Sequence, residues 1–303
     1  MAYSTDTVAI LGLGLIGGSL ARALRSSGFS RRFLGYGHRE QSLRRGVELG
    51  VIDSFTLDLD ELLAQADIIV ICTPTLVAAD ILRRIVPRLG EAGSGPVVTD
   101  AASVKGALRD AALEPDGAMP AQLVLGHPIA GSERSGVEAS RADLFAHHRV
   151  ILTPEQDNDP AAVELVRAMW ASTGADVVEM GVDEHDAVLA ATSHLPHALA
   201  YTLVDTLAGS ERSADIFRFA AGGFRDFTRI ASSDPVMWRD IAIANRDALL
   251  QAMDLFSAHL GQLRAAVAAQ DAEQLLATFS RAKRARDHFT ADLAARHQGK
   301  AQE

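Results

Sequence analysis

The chain has 303 residues, of which 48% are hydrophobic and 22% are charged, and its formal net charge is −10. This composition is typical of a globular protein, and the length allows two domains. The negative charge excludes nucleic acid and anionic membranes as main partners. Cys72 is the single cysteine, so no intramolecular disulfide can form. With neither a signal peptide nor an apolar run long enough to span a bilayer, we expect a cytoplasmic protein.

Short apolar runs alternate with amphipathic helical segments between residues 7 and 180. The runs are rich in β-branched residues, and segments such as 40–49 and 160–173 separate them. Strands interleaved with helices predict an α/β domain with a doubly wound, mostly parallel sheet, which we assign to residues 1–182. The predicted strands are TVAILGLG, RFLGYG, ADIIVICTPT, PVVTDAAS, QLVLGHP, RVILTP and ADVVEM.

A glycine-rich turn follows the first predicted strand. Gly12, Gly14 and Gly17 have the G-x-G-x-x-G spacing, and Leu15 and Ile16 begin a predicted helix. The first glycine permits a tight turn, the second lets the backbone approach a pyrophosphate, and the third lets helix and strand pack closely. The N-terminus of the helix then faces the anion. In this strand–turn–helix context the motif predicts a Rossmann-like, dinucleotide-binding domain.

The end of the second predicted strand bears on the choice of cofactor. An NAD enzyme usually carries an acidic residue about twenty positions after the last motif glycine, but Gly37, His38 and Arg39 stand there. Because no carboxylate repels a 2′-phosphate and Arg39 can pair with one, the sequence favours NADP over NAD. Alternatively, Arg39 is a solvated loop charge and NAD binds through backbone contacts. Thr73 and Pro74, at the end of another strand, are predicted to lie at the same crevice.

Two further predicted strands end near residues whose side chains can take part in acid–base chemistry. Ser103 and Lys105 follow one strand, and His127 ends the next, with Glu133 on the loop behind it. Strand ends in such a sheet converge on the cofactor crevice. A neutral imidazole, with an ordinary pKa of about 6.5, accepts a proton near neutral pH, so His127 is a candidate general base. The spacing equally allows a structural histidine that caps a loop.

The strand signal ends near residue 183, and the rest of the chain is predicted to be helical. Residues 183–208 form one predicted helix in which Pro196 marks a kink or break. Asp234 and Pro235 begin another, as an N-cap and a first-turn proline. The later helices carry more apolar residues at helical spacing than a small domain needs. We therefore predict an all-α second domain, residues 183–303, that forms a homodimer, with a monomeric bundle as the alternative.

The helical half contains two histidines and two arginines in polar surroundings. His194 and His197 are three residues apart, a helical spacing that can hold a metal, but no third ligand is clustered with them and we expect no metal site. Arg225 and Arg229 follow a Gly-Gly pair and suit a clamp for the carboxylate of a small-molecule substrate. Surface ion pairs with neighbouring aspartates are the alternative role for both arginines.

Five segments carry a resemblance to a known family. GLGLIGGSLA, TDAASVKG, GHPIAGSE, SHLPH and GGFRDFTRIASSDP occur in this order. Together, over residues from about 7 to 265, they resemble the prephenate/arogenate (cyclohexadienyl) dehydrogenases of tyrosine biosynthesis. The resemblance implies NAD(P)-dependent oxidative decarboxylation of prephenate to 4-hydroxyphenylpyruvate, or of arogenate to tyrosine. No motif distinguishes these two substrates, which differ in a keto or an amino group.

The same resemblance implies roles for individual residues. His127 falls on the family's catalytic histidine, with Ser103 as its hydrogen-bond partner, and Arg229 is the best match for a group that holds a substrate carboxylate. The acidic residue common after the second strand of NAD-using members is absent, which leaves the cofactor choice open. The other positions that match substrate-pocket motifs are Lys105, Glu133, His194 and His197.

Two other functions compete with this interpretation. A β-hydroxyacid or 6-phosphogluconate-type dehydrogenase also joins a nucleotide-binding domain to a helical one. Its members share a helical lysine followed by asparagine, which we do not find in this sequence. A non-catalytic nucleotide sensor would have no need of His127, Ser103 and Arg229 together.

Overall fold

The computed structural model describes residues 4–90, 94–132 and 134–299. For residue 293 and residues 295–299 it describes the backbone and not the side chains. An eight-stranded sheet with helices forms the first part of the chain, and the described residues after it contain helices and no strand, which confirms the predicted fold class. The strands are β1 (Thr5–Leu11), β2 (Ser30–Tyr36), β3 (Ser54–Thr56), β4 (Ile68–Ile71), β5 (Val97–Asp100), β6 (Leu123–Pro128), β7 (Arg149–Thr153) and β8 (Asp176–Glu179).

All seven predicted strands form, and three short elements in this part of the chain were not named in the sequence analysis. These are β3, of three residues, and the seven-residue helices α3 and α5. Elements of this length show too few residues for a period to be recognised. The helices before β8 are α1 (Leu15–Ser27), α2 (Glu40–Glu48), α3 (Leu59–Gln65), α4 (Thr75–Ile85), α5 (Gly106–Ala112) and α6 (Pro160–Ala171).

The sheet has the order β3-β2-β1-β4-β5-β6-β7-β8. The first six strands of this order are parallel, β7 pairs antiparallel with the end of β6, and β8 is parallel to β7. The order 3-2-1-4-5-6 is that of doubly wound dinucleotide-binding domains. The chain changes direction between β1 and β4, so a crevice opens outside the carboxyl ends of these two strands.

Two apolar layers cover the two faces of the sheet. Along β1, Val8 and Ile10 belong to one layer, and Ala9 and Leu11 belong to the other. This alternation follows from the two-residue period of a strand. All four residues of β4 are buried, as expected for a central parallel strand, so its sequence is a continuous apolar run.

The helical part begins directly after β8. The segment predicted as one helix is interrupted by a π-helical turn, Ala190–His194, just before Pro196, whose missing N–H explains the widened turn. Asp234 caps the helix that Pro235 starts, as predicted, because its side chain accepts the N–H groups of two residues in the first turn. The helices are α7 (Val182–Leu189), α8 (Leu195–Ala208), α9 (Ser213–Arg218), α10 (Gly222–Thr228), α11 (Pro235–Ala244), α12 (Arg246–Ala268) and α13 (Ala272–Gly299).

The chain divides into two compact units, residues 1–249 and 250–303. The first unit therefore includes the sheet and the helices that follow it up to the start of α12. The predicted domain boundary after residue 182 stays a prediction. Among the described residues, no helix has the length and apolarity that crossing a bilayer requires.

Candidate active site

The three glycines of the turn after β1 have three different structural roles. Gly12 has a φ of +97°, and a Cβ there would lie 2.8 Å from the carbonyl oxygen of Cys72, so only glycine fits. A Cβ on Gly17 would overlap the carbonyl oxygen of Gly12, which shows how closely α1 packs on β1. Nothing lies within 4 Å of a Cβ built on Gly14. The open space over Gly14 is therefore where a ligand can approach the backbone.

This turn fits the pyrophosphate of a dinucleotide. Helix α1 begins at Leu15, and its N-cap residue, Gly14, has no side chain that could bond to the free backbone N–H groups. The first turn also contains no acidic residue, so the N-terminus of the helix attracts an anion. Parallel pairing places the ends of β2 and β4 at the same edge as the turn. His38 and Arg39, which follow β2, are exposed, and Arg39 Nε lies 3.3 Å from His38 Nε2. Pro74, which precedes α4, is exposed at the end of β4 beside Thr73.

Alanine substitutions at Gly14 and Gly17 are expected to separate cofactor binding from packing. Gly14→Ala adds a methyl group to open space, so it should weaken cofactor binding by about tenfold or more while leaving unfolding unchanged. Gly17→Ala forces α1 away from β1, so it should also lower the free energy of unfolding by about 1–3 kcal/mol. Calorimetric titration of the cofactor and urea unfolding measure the two effects. Equal destabilisation by both substitutions would contradict this assignment.

His127 lies buried at the carboxyl end of β6. Its Nδ1 is 2.9 Å from Nε2 of His185, and the two rings pack edge to face with centroids 5.1 Å apart. Burial, followed by the charges of His185, Lys105 and His194, holds the pKa of His127 well below its ordinary value. The ring is therefore neutral near pH 7, which is the state that a general base needs.

The hydrogen-bond partner of this ring differs from the one that the family resemblance implied. Ser103 is partly buried and makes no side-chain hydrogen bond in the described part of the chain, whereas His185, on α7, faces Nδ1 of His127. A catalytic role for Ser103 stays a prediction. His185 was missed because it comes from an element 58 residues away in sequence. Its only local signal is a histidine between acidic residues in DEHD.

Lys105 is a structural residue, so its prediction as a substrate ligand is wrong. Its side chain is completely buried, and Nζ donates to the carboxylate of Asp100 and, at 2.7 Å, to the carbonyl oxygen of Gly126. Asp100 in turn accepts the N–H groups of Ala102 and Gly126. An ammonium shielded from solvent in this way cannot contact a substrate. It ties the end of β5 to the end of β6 directly before His127.

The rings of His194 and His197 both pack near Trp238. His194 is buried, its pKa is lowered to about 4 chiefly by burial, and Asn245 Nδ2 lies 3.0 Å from its Nδ1. His197 stacks on Trp238, with ring centroids 3.6 Å apart. His194 and Trp238 also line a cavity of about 300 Å³, together with Tyr201 and other residues of α8 and α11. Neither His127 nor the glycine turn is among the residues that line this cavity.

The remaining predicted positions have mixed outcomes. Arg225 is exposed, and its Nε lies 3.4 Å from Asp226, so the alternative of a surface ion pair describes it. Arg229 is exposed and lies near His197, whose pKa is lowered first by burial and also by this arginine. Glu133 lies outside the described residues. Among the described residues, no three His, Cys, Asp or Glu side chains are grouped to hold a metal ion.

A dinucleotide crevice at the switch point of a parallel sheet, with a buried neutral histidine at the same edge, defines a nicotinamide-dependent dehydrogenase. Two family models match the chain: the prephenate dehydrogenase nucleotide-binding domain over residues 20–179, and the prephenate dehydrogenase dimerization domain over residues 182–281. The chain belongs to the prephenate dehydrogenase family.

Individual relatives agree with this family. Cyclohexadienyl dehydrogenase of Zymomonas mobilis is 36% identical, over 92% of this chain and 94% of its own length. Prephenate dehydrogenase of Bacillus subtilis is 39% identical, over 95% of this chain and 77% of its own. Prephenate dehydrogenase from Aquifex aeolicus, in a crystal structure with hydroxyphenyl propionate and NAD⁺, superposes with a TM-score of 0.86 at 36% identity, covering 95% of this chain and 100% of that one. The chain is thus an oxidoreductase that uses a nicotinamide cofactor. The family assignment therefore replaces the two alternatives, a nucleotide sensor and a β-hydroxyacid dehydrogenase.

Proposed function

We propose that this chain oxidises and decarboxylates prephenate to 4-hydroxyphenylpyruvate, with His127 as the general base. The observation that carries the proposal is the buried His127 at the carboxyl end of β6, at the sheet edge where the glycine-rich turn also lies. A ring held by a strand end and a neighbouring side chain has a fixed position, which is what proton transfer at a single atom requires.

The chemistry needs one base and one hydride acceptor. Prephenate carries a hydroxyl and a hydrogen on C4 of its ring, opposite a quaternary carbon that bears a carboxylate. His127 Nε2, the ring nitrogen that does not face His185, accepts the hydroxyl proton as C4 loses hydride and becomes a carbonyl carbon. A nicotinamide cofactor, when bound, supplies the hydride acceptor. The bond to the carboxylate then breaks, carbon dioxide leaves, and its electron pair makes the ring aromatic, so the ring oxygen takes a proton back from His127.

Reduction of NAD⁺ or NADP⁺, followed by absorbance, tests the proposal. We expect turnover with prephenate together with release of carbon dioxide, and arogenate forms the second arm of the experiment because relatives of this chain include cyclohexadienyl dehydrogenase. A 3-hydroxyacid serves as the negative control. Turnover with arogenate alone would move the assignment to that substrate, and turnover with neither cyclohexadienyl compound would contradict it.

The proposed cofactor is NADP rather than NAD, because Arg39 is exposed just after the end of β2 and Gly37 stands at the position where NAD enzymes usually carry an acidic residue. Arg39→Ala should weaken NADP binding by about 10- to 100-fold, the cost of one charge-assisted hydrogen bond, and leave NAD binding unchanged. Arg44→Ala, which removes a nearby exposed arginine already paired with Glu40, is the matched control. Tighter binding of NAD than of NADP by the unmodified enzyme would contradict this choice.

Arg229 is the proposed clamp for a substrate carboxylate. A clamp binds ground state and transition state alike, so Arg229→Ala should raise KM by about 10- to 100-fold and change kcat little. Arg225→Ala is the matched control, because Arg225 belongs to the same segment and pairs with Asp226. Steady-state kinetics on both variants measure the effect. A raised KM for Arg225→Ala alone would assign the clamp to that residue instead.

The proposed assembly is a homodimer formed by the C-terminal helices. In the second unit, Leu255, Leu260, Leu276 and Phe279 are each more than half exposed, and such apolar surface indicates an interface. Twofold dimers are the commonest soluble homo-oligomers. Light scattering should give about twice the chain mass of 32.2 kDa. Leu260→Asp should shift the mass towards one chain, and a wild-type monomer with full activity would contradict the dimer.

A further inference from the structure

A chain of buried hydrogen bonds continues from His127 into the helical part. His127 Nδ1 contacts His185 Nε2, and at 2.8 Å His185 Nδ1 contacts Oδ1 of Asp186. His185 is completely buried, and Asp186 is nearly so. Both residues lie on α7, whereas His127 lies on β6. The catalytic ring is therefore held from a second element that no sequence motif connected with it.

The ionisation state of Asp186 determines which ring nitrogens carry protons in this series of hydrogen bonds. Its Oδ1 accepts the backbone N–H of Lys105 at 2.9 Å, and its Oδ2 accepts that of Gly106 at 2.8 Å. Although burial opposes ionisation, the hydrogen bonds from His185 and these two N–H groups hold the pKa of Asp186 below its ordinary value. An ionised carboxylate only accepts, so His185 Nδ1 must carry a proton and donate it.

Burial is the main cause that keeps both rings neutral, and the surrounding charges modify its effect. The pKa of His185 is lowered first by burial, although its hydrogen bond to Asp186 raises it. The charge of Lys105 also lowers this pKa, whereas the charges of Asp186 and Asp100 raise it. His185, Lys105 and His194 act on His127, whose pKa is also lowered by burial and by these groups. A neutral His185 with its proton on Nδ1 has a lone pair on Nε2. His127 Nδ1 must then donate to it, which leaves Nε2 of His127 unprotonated.

We propose that His185 and Asp186 are positioning residues that hold His127 in the tautomer whose Nε2 is free to accept a proton. The proposal rests on the proposed role of His127 as the base. The wrong tautomer presents an N–H where the substrate hydroxyl needs an acceptor, so it cannot start the reaction. Fixing a histidine tautomer through the other ring nitrogen is a general device of histidine bases. Here a second histidine stands between the carboxylate and the base.

Three substitutions test this role through kcat rather than KM. His185→Phe keeps a ring beside His127 and removes the acceptor, and it should lower kcat by about 10²-fold with KM little changed. His185→Gln provides an amide oxygen that can accept a hydrogen bond from His127, which Phe cannot do. This variant should therefore keep kcat within about tenfold of wild type. Asp186→Asn offers an N–H where the carboxylate accepted one, and it should lower kcat like His185→Phe. Cofactor affinity and thermal unfolding verify that each variant is folded.

Some outcomes would overturn the proposal. A His185→Phe variant with kcat within about threefold of wild type would do so, because a loss of about 10²-fold is expected when the base is not held in the required tautomer. Equal losses in the Phe and Gln variants would also do so, because they would show a packing role alone.

Nitrogen-15 NMR of the histidines in the unmodified enzyme gives a readout without substrate or mutation. We expect the His127 signals to show a protonated Nδ1 and an unprotonated Nε2, and the same for His185. A His127 ring protonated on Nε2 would overturn the proposal even if no variant folds. If the NMR result holds and His127→Asn keeps full activity, the proposed base is wrong while the tautomer assignment stands, so the two failures are distinguishable.

Discussion

Replacement of His127 with asparagine is expected to lower kcat by about 10²- to 10⁴-fold, the usual effect of removing a general base. Asparagine retains a polar group near the position of Nδ1 but cannot accept the hydroxyl proton at the position of Nε2. Cofactor binding should be unchanged, because the glycine-rich turn lies on other elements of the sheet. Single-turnover absorbance measurements with prephenate, combined with cofactor titration, separate the chemical step from binding.

His147→Asn is the matched control for this experiment. His147 is exposed, and its φ of +64° is a conformation that asparagine tolerates. We expect the control to keep wild-type kcat. Turnover by His127→Asn within a few-fold of the control would show that another group takes the proton.

The pH profile gives a second test of the same base. Because the pKa of His127 is lowered, the ring stays neutral as the pH falls through about 6.5, the ordinary histidine value. Activity should therefore persist below this pH and decline only when the lowered pKa is reached. An acidic limb of kcat/KM centred at or above the ordinary value would contradict a buried, neutral His127.

Lys105→Met is expected to lower the free energy of unfolding by about 3–5 kcal/mol, the usual cost of breaking a buried ion pair. The substitution leaves the carboxylate of Asp100 without its cation in a site where both side chains are completely shielded from water. It also removes the donor to the carbonyl oxygen of Gly126, at the strand end that carries His127. Urea unfolding followed by circular dichroism measures the loss of stability.

Lys283→Met is the matched control, because Lys283 pairs with Asp287 on α13 and both side chains are more than half exposed. Exposed pairs contribute about 0–1 kcal/mol, so this control should unfold like the wild type. A similarly small effect for Lys105→Met would show that the buried pair is not needed for folding.

The comparison of Lys105 with Gly14 shows which features of the site a sequence can reveal. Gly14 was predicted from spacing, because a turn between strand and helix is a local structure and its role depends on residues within one motif. Lys105 stands in an equally recognisable motif, TDAASVKG, but its partners are Asp100 and the backbone of another strand. Motif position alone could not distinguish a buried ammonium from one that meets a substrate.

Length and continuity decided which elements could be predicted. The central strands, such as β4, are buried on both faces and are therefore visible as apolar runs. Strand β3 has three residues and shows no period. The helix predicted over residues 183–208 is broken by a π-helical turn, and proline marked the place without determining its geometry.

The sequence by itself determined the sheet, the glycine-rich turn and the family, and it pointed to His127 as the candidate base, because each depends on a local pattern or on motifs in order. Only the tertiary structure decided what surrounds that base. His185 reaches His127 from α7 and is itself bonded to Asp186, and Lys105 is enclosed between two strand ends. Hydrogen-bond partners and burial are set by which distant segments meet in space. The proposed tautomer of His127 and its lowered pKa therefore depend on the fold and not on any spacing along the chain.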